Sequence, residues 1–206
     1  MLRRLVGSEM CIRDRYNDTA KQAEQLPLED MLLTRMKRNF EEVLKTNGGE
    51  MFCTEKDMVE FYGHGVEILK FIRKKRAQYF SKKGYELIGI EVPIDYDMPN
   101  NIKFIGYIDV VIKDTVRDVI KIYDIKTSTM GWNKYMKADK NKTDQLLLYK
   151  QFYSKQYNHP MDKLEVEYFI VQRKLYENLD FPQKRVQKFT PANGKPSINQ
   201  VVNRLD

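Results

Sequence analysis

Apolar residues recur every three to four positions over two long stretches in the first part of the chain. Residues 27–46 and residues from about 54 to about 83 each place them on one side, which predicts two amphipathic helices. Pro27 suits the first turn of one helix, and Thr54 suits the N-cap of the other. The apolar positions are Leu28, Leu32, Met36, Phe40, Val43 and Leu44 in the first stretch and Met58, Tyr62, Val66, Leu69, Ile72 and Phe80 in the second.

The pattern then changes to alternation. Residues 87–94, 102–112 and 119–126 alternate in polarity and are separated by turn-forming residues, which predicts three antiparallel strands in a meander. Helical spacing returns over about 143–157, and residues 164–172 have the pattern of one more strand. Helices packed on one sheet in this mixed order predict an α/β or α+β fold.

Residues 1–15 stand apart from these patterns. The part from Met10 to Arg15 back-translates into a sequence resembling the transposon end of a common sequencing-library adapter, and no apolar stretch typical of a targeting signal is present. We interpret 1–15 as adapter-derived, with a natural basic N-terminus as the alternative. We expect 16–206 to form a single domain, truncated at both ends, with 203–206 resembling the start of a helix.

Composition narrows the function classes. The chain is 42% hydrophobic, as in globular proteins, and has no apolar run long enough to cross a membrane. Its net charge is +7, of which residues 1–15 contribute +2, and the remaining +5 favours a polyanionic partner. Cys53 is the one cysteine of residues 16–206, so no disulfide can form within them. This favours a reducing cytoplasm, and we expect no membrane association.

Charged residues interrupt two of the predicted strands. Period-two alternation places Asp124 and Lys126 on the face of Ile122, and Asp109 interrupts the otherwise apolar run 104–112. An isolated buried carboxylate is costly, so these charges should either pair or hold a metal ion. The pattern alone leaves a structural ion pair and a metal site open.

A metal site of this composition has a recognisable chemistry. Two carboxylates on neighbouring strands, with a main-chain carbonyl between them, suit Mg²⁺, which prefers oxygen ligands and keeps several waters. Such an ion polarises a phosphodiester and lowers the pKa of a bound water, and a nearby lysine stabilises developing charge. Asp124-Ile125-Lys126 has the spacing that this chemistry requires.

Three short motifs occur in the order strand, strand and helix. They are Gly106-Tyr107-Ile108-Asp109, Asp124-Ile125-Lys126-Thr127 and Gln145-Leu146-Leu147-Leu148-Tyr149. They resemble the G-x-x-D, (D/E)-x-K-T and Q-x-x-x-Y motifs of RecB-like PD-(D/E)xK nucleases, a group that includes viral exonucleases. The resemblance covers about residues 85–172 and implies a restriction-endonuclease-like core, with a mixed central sheet flanked by helices.

The resemblance also implies roles for individual residues. Asp109 and Asp124, with the carbonyl of Ile125, would bind Mg²⁺, for which Mn²⁺ would substitute, and Lys126 would serve catalysis. Glu91 lies where many relatives keep an acidic residue; it is either a further ligand or a water-binding group, or else an exposed charge on an edge strand.

Gln145 and Tyr149, one turn apart on the predicted helix, would orient the site or hold the DNA backbone. The alternative for these two residues is an ordinary amphipathic helix.

The chain departs from the family pattern at its histidine. Relatives often carry a metal-binding histidine in a G-x-x-x-H pattern before the sheet, whereas His64 and His159 lack that pattern. We expect the equivalent histidine to lie in the missing N-terminal part. Some relatives also carry an iron–sulfur cluster on four cysteines, which Cys53 alone cannot build.

Two basic segments have two interpretations each. The lysines and arginines from Lys70 to Lys83 form either a solvated helix face or a contact to the DNA backbone. The segment before the last helix either follows phosphates and stacks a base or forms a mobile polar loop. Its basic and aromatic residues are Trp132, Lys134, Tyr135, Lys137, Lys140 and Lys142.

These features lead to one expected function and one alternative. The expected function is a Mg²⁺-dependent DNA nuclease, an exonuclease of recombination, repair or viral replication, in the cytoplasm of a bacterium or a phage-infected cell. Its expected partners are DNA and proteins of recombination or replication. The alternative is a catalytically silent nucleic-acid-binding or assembly module on the same fold.

Overall fold

The computed structural model describes residues 26–80, 82–99, 102–176, 180 and 183–205. These residues divide into two compact units. One takes in the described part of Met1–Ala77 together with Arg173–Arg185, and the other takes in Gln78–Gln172 and Val186–Asp206. Residues 1–15, which we interpreted as adapter-derived, lie outside the described residues, and the single domain expected for 16–206 stays a prediction.

The first unit contains two helices, α1 (Leu28–Thr46) and most of α2 (Glu55–Tyr79). Thr54 is the predicted cap of α2: its hydroxyl accepts from the N–H of Asp57 at 3.2 Å, and its own N–H donates to the Asp57 carboxylate at 2.9 Å. The predicted apolar faces are confirmed. Their buried members are Leu32, Met36 and Val66, with Met58, Phe61, Tyr62 and Leu69 packed around them.

Helix α2 ends at Tyr79, about four residues before its predicted end at 83. The next strand already begins at Tyr85, and Gly84 adopts a φ of 85°, a left-handed conformation that glycine reaches at little cost. Residues 82–84 therefore form a turn, closed by the N–H of Tyr85 donating to the carbonyl of Lys82 at 2.9 Å.

The second unit is built on a five-stranded mixed sheet. Its strands are β1 (Tyr85–Asp97), β2 (Lys103–Asp114), β3 (Val119–Ser128), β4 (Leu164–Gln172) and β5 (Val186–Phe189), adjacent in that order. The predicted three-strand meander is confirmed, because β1, β2 and β3 pair antiparallel. Strand β4 runs parallel to β3, and β5 runs antiparallel to β4.

Three helices follow β3 along the chain in this unit: α3 (Lys134–Ala138), α4 (Lys140–Gln156) and α5 (Lys195–Val202). Helix α4 begins three residues before the prediction because Asp139 caps it, accepting from the N–H of Asn141 at 3.0 Å. The prediction that a helix begins at 203 was wrong: α5 ends at Val202, and residues 203–205 form turns after it.

The sheet is covered on both faces. Helix α4 packs on one face, where Ile122, Leu146 and Tyr168 belong to the main core cluster. Tyr123 points to the opposite face and contacts Phe80 edge-on, with ring centroids 5.7 Å apart. The mixed α/β class predicted from the sequence is thus confirmed. No described helix is long and apolar enough to cross a membrane.

Candidate metal centre

Strands β2 and β3 separate at the two predicted carboxylates. Their regular pairing ends with Val110 opposite Tyr123, so Asp109 and Asp124 are the next residues on each strand. The Asp109 carboxylate accepts a hydrogen bond from the N–H of Ile125 at 2.6 Å. A side-chain oxygen of β2 thus takes the place of a carbonyl in the ladder and satisfies the N–H of β3 where the strands part.

Strand β1 is distorted at the same level. The pairs Ile90–Val110 and Val92–Ile108 flank Glu91, which has a φ of 49°. A left-handed conformation costs a non-glycine residue roughly 1–3 kcal/mol and persists only where the surrounding structure imposes it. Ile108 and Val111 both join the main core cluster, although strict alternation would place them on opposite faces. The change of face falls between them, at Asp109 or Val110.

The two carboxylates are buried and lie close enough for their negative charges to repel each other. Asp109 is 8% exposed and Asp124 is 1% exposed. Burial and then the charge of Asp124 raise the pKa of Asp109 to about 7, with Glu91 adding a smaller repulsion, while the N–H of Ile125 and the Lys126 ammonium oppose the shift. The effects that disfavour the ionised form of Asp109 outweigh those that favour it. This is expected where a bound cation would neutralise the carboxylate.

Lys126 belongs to a chain of polar contacts that leads to helix α4. Its Nζ lies 2.5 Å from Oδ2 of Asp124 and donates to Oε1 of Gln145 at 3.0 Å. Nε2 of Gln145 donates in turn to the hydroxyl of Tyr149 at 2.8 Å. The same Nζ lies 5.9 Å from the centre of the Tyr168 ring. The ammonium is therefore fixed by a carboxylate, an amide and an aromatic face together.

Tyr168 also fixes helix α4. It is fully buried on β4, and its hydroxyl donates to the carbonyl of Lys142 at 2.6 Å, in the first turn of the helix. Tyr168 is not among the site residues predicted from the sequence. The available signal was a hydroxyl-bearing residue in the apolar run Tyr168-Phe169-Ile170-Val171 of a buried strand, where it requires a partner.

Gly106 explains how two of the three sequence motifs meet. A Cβ at this position would lie 2.8 Å from Cε1 of Tyr149, closer than real Cβ atoms come. Tyr149 is 5% exposed and its ring has little room to retreat. The glycine of the first motif therefore makes space for the tyrosine of the third.

We expect Gly106→Ala to lower the free energy of unfolding by about 1–2 kcal/mol, because overpacking against the Tyr149 ring exceeds the gain from replacing a strand glycine. Urea denaturation measures the change. Gly63→Ala is the matched control: a Cβ there meets nothing within 4 Å in the middle of α2, and we expect it to stabilise by roughly 0.5–1 kcal/mol. A Gly106→Ala protein as stable as the parent contradicts the close contact.

The donors at this site suit a hard cation. In an extended strand the N–H and the carbonyl of one residue point to the same side, so the carbonyl of Ile125, like its N–H, faces the gap beside Asp109. Two carboxylates and this carbonyl are all oxygen donors, as Mg²⁺ or Mn²⁺ prefer. Within the described residues, no three His, Cys, Asp or Glu side chains come together as a ready-made ion site. Two carboxylates and one carbonyl would leave the remaining ligand positions of such an ion to water.

The histidines and the cysteine do not join these carboxylates within the second unit. His64 and Cys53 belong to the first unit, where Nε2 of His64 lies 3.9 Å from Oε1 of Glu60. His159 stacks on Tyr153, with ring centroids 5.9 Å apart. The metal-binding histidine expected from the family pattern stays a prediction.

The basic segment before α4 is ordered into helix rather than a polar loop. Asn133 caps α3 by accepting from the N–H groups of Tyr135 and Met136, each at 3.0 Å. Trp132 is 7% exposed and packs on Tyr168, so its ring is not exposed for stacking on a base. Tyr135 remains 72% exposed beside Lys134.

The chain shares little sequence with known proteins of related structure. No protein-family model matches it, and no curated protein does. Among solved structures it is similar to one described as "Crystal structure of SSO0001", with 14% sequence identity, covering 82% of this chain and 68% of that chain, at a TM-score of 0.39. A similarity of this degree supports no argument about function.

Proposed function

We propose that the protein is a metal-dependent DNA nuclease of the PD-(D/E)xK type. The observation that carries the proposal is the meeting of Asp109, Asp124 and Lys126 where β2 and β3 separate. A structural ion pair requires one carboxylate for one lysine, whereas here a second buried carboxylate raises the cost of the site. A bound cation would offset this cost by neutralising the two carboxylates.

The proposed division of labour follows the contacts. Asp109, Asp124 and the carbonyl of Ile125 would hold Mg²⁺, with Glu91 close enough to influence the charge of Asp109. When bound, the ion supplies Lewis-acid chemistry, polarising the phosphodiester and lowering the pKa of a water. Lys126 presents its ammonium beside the carboxylates, where it stabilises negative charge that develops on the phosphate.

Gln145 and Tyr149 act as positioning residues in this scheme. The Gln145 amide accepts from Lys126 and donates to Tyr149, and the Tyr149 ring is fixed by the space at Gly106. The ammonium is consequently preorganised, which lowers the cost of reorganisation when charge develops. The alternative of an ordinary amphipathic helix does not account for a Gln145 amide that accepts from Lys126 and donates to Tyr149.

DNA is the proposed substrate because of the charge balance and the basic residues around the site. Residues 16–206 carry a net charge of +5, and the lysines at positions 134, 137, 140 and 142 precede or open helix α4, which carries Gln145. Phosphate contacts of this kind supply most of the non-specific affinity for nucleic acid. We propose an exonuclease of recombination, repair or viral replication.

The test of this proposal is a nuclease assay with Mg²⁺ and Mn²⁺ on linear and closed circular DNA side by side. Loss of the linear substrate alone supports a metal-dependent exonuclease. Loss of both supports an endonuclease at the same site. DNA binding without cleavage overturns the enzymatic proposal and leaves the silent binding module.

We expect Lys126→Met to lower kcat for DNA cleavage by roughly 100- to 1,000-fold with little change in KM, because the ammonium acts on charge that develops in the transition state. Lys121→Met is the matched control, since Lys121 lies on the same strand and pairs with Glu165 instead. Steady-state kinetics separate the two parameters. Equal loss of kcat in both variants would show a structural effect on β3 and remove Lys126 from catalysis.

A further inference from the structure

A surface cavity of about 400 Å³ lies beside the candidate metal centre. Gln145 and Tyr149 form part of its wall, and the same two side chains make the hydrogen bonds that lead to Lys126. An occupant of the cavity therefore contacts the side chains that hold Lys126, with Gln145 between the occupant and the ammonium. All of its lining residues belong to the second unit.

The cavity wall combines apolar and polar side chains and is partly fixed in place. Phe104, Leu148 and Leu205 contribute its apolar side. The Phe104 ring stacks on Phe152, with centroids 4.3 Å apart and planes inclined by 21°, so it presents a rigid flat wall. A rigid aromatic wall loses little conformational freedom when a flat ligand binds.

The polar groups of the cavity favour a neutral ligand over a phosphate. The guanidinium of Arg204 pairs with the carboxylate of Asp144, which offsets its charge. The exposed amide of Asn141 lies on the same wall and offers both a donor and an acceptor. Apolar side chains together with the amides of Asn141 and Gln145 and a neutralised ion pair suit a nucleobase, whose edge requires hydrogen bonds and whose faces do not.

The size of the cavity limits what can enter. Ligand pockets range over roughly 300–1,000 Å³, so a cavity of about 400 Å³ accommodates one nucleotide and not a paired one. A base enters such a pocket only after leaving its stack, which costs least in single-stranded DNA.

We propose that this cavity binds one unpaired nucleobase next to the scissile phosphate, which makes single-stranded DNA, or a frayed end, the preferred substrate. This inference rests on the proposed nuclease function. It adds a strand preference, which the metal centre alone does not determine.

The test is a binding measurement that requires no cleavage. Fluorescence anisotropy compares a labelled single strand with the same strand in a blunt duplex, in EDTA and in the Asp124→Asn background, so that neither metal nor turnover contributes. Leu148→Trp fills the cavity and should weaken single-strand binding roughly tenfold, as expected for the loss of one stacked base, without changing duplex binding. Asn141→Ala, which removes no core packing, should weaken it about threefold.

Val116→Trp is the matched control, because Val116 is 76% exposed in the turn between β2 and β3, far along the strands from Asp109 and Asp124. Thermal unfolding of each variant confirms that it is folded. No single-strand binding by the parent, equal weakening of duplex binding, or an unchanged affinity in both cavity variants overturns the proposal. Tighter binding of an RNA strand, with the same loss in Leu148→Trp, overturns it in favour of RNA. Cleavage assays on the wild-type protein fail or succeed independently of these results.

Discussion

Replacing Asp124 by asparagine is expected to reduce metal-dependent DNA cleavage at least about a thousandfold. Asp124 is 1% exposed, so its carboxylate acts in a site with little water to screen its charge. The substitution keeps the shape of the side chain and removes the charge that would bind the cation. It also removes the counter-ion of Lys126, whose Nζ lies 2.5 Å away. Loss of the proposed metal ligand and release of the ammonium would act on the same step.

The measurement is the single-turnover rate of cleavage of linear DNA in Mg²⁺, with circular dichroism to verify folding. Asp114→Asn is the control, since Asp114 is also a buried carboxylate. It lies at the end of β2, away from the candidate site, and accepts from the N–H of Arg117 at 3.2 Å. We expect that variant to cleave within about threefold of the parent. An Asp124→Asn protein that cleaves as fast as the parent would mean that the activity comes from another site.

Long helices and strands were predictable because each has a buried face, which requires apolar residues at regular intervals over many positions. Strand β4 was predicted at its observed bounds, and β1, β2 and β3 differ only at their ends. Strand β5 and helix α3 were not predicted. Strand β5 has four residues and α3 has five, too few to show a period. Tertiary contacts support them instead, such as the Gln187 side chain, which accepts from the N–H of Trp132 at 2.7 Å and donates to its carbonyl at 3.0 Å.

The composition of the candidate site was predictable, but its geometry was not. Motif spacing placed Asp109, Asp124 and Lys126 on neighbouring strands, and the structure brings them together. The left-handed conformation of Glu91 cannot be detected in the alternating pattern of apolar and polar residues. It accompanies the separation of β2 from β3, which itself depends on a side chain taking over a backbone hydrogen bond.

The contact between Gly106 and Tyr149 gives a physical reason for the glycine in the first sequence motif. The Gly106 position is small because Tyr149 occupies the space of its Cβ, and Tyr149 in turn accepts from the Gln145 amide that contacts Lys126. Three motifs far apart in sequence are thus parts of one packed arrangement.

Asp109→Asn is expected to stabilise the metal-free protein and to abolish its stabilisation by metal. The pKa of Asp109 is raised to about 7 in the folded protein, mainly by burial, so the folded state binds this proton more tightly than the unfolded state. Stability is consequently full at pH below about 4 and is lost as the pH rises toward 7, by up to a few kcal/mol. Asparagine has no such ionisation, and its oxygen can still accept from the N–H of Ile125.

Thermal unfolding in EDTA across this pH range measures the first effect: the parent should lose stability between about pH 4 and pH 7, and the variant should lose less.

Titration with Mg²⁺ or Mn²⁺ at pH 7 measures the second effect, the stabilisation by metal. At a hundred times the dissociation constant, a bound ion adds about 2.7 kcal/mol, which raises Tm by roughly 5–10 °C for a chain of this size. The variant lacks one of the proposed ligands, so its Tm should stay constant. The two effects have opposite signs in the same protein, which a purely structural ion pair cannot produce: removal of one partner of such a pair destabilises the protein, and metal does not alter it. A parent protein whose Tm does not respond to either metal would leave the buried carboxylates without the cation that the proposed function requires.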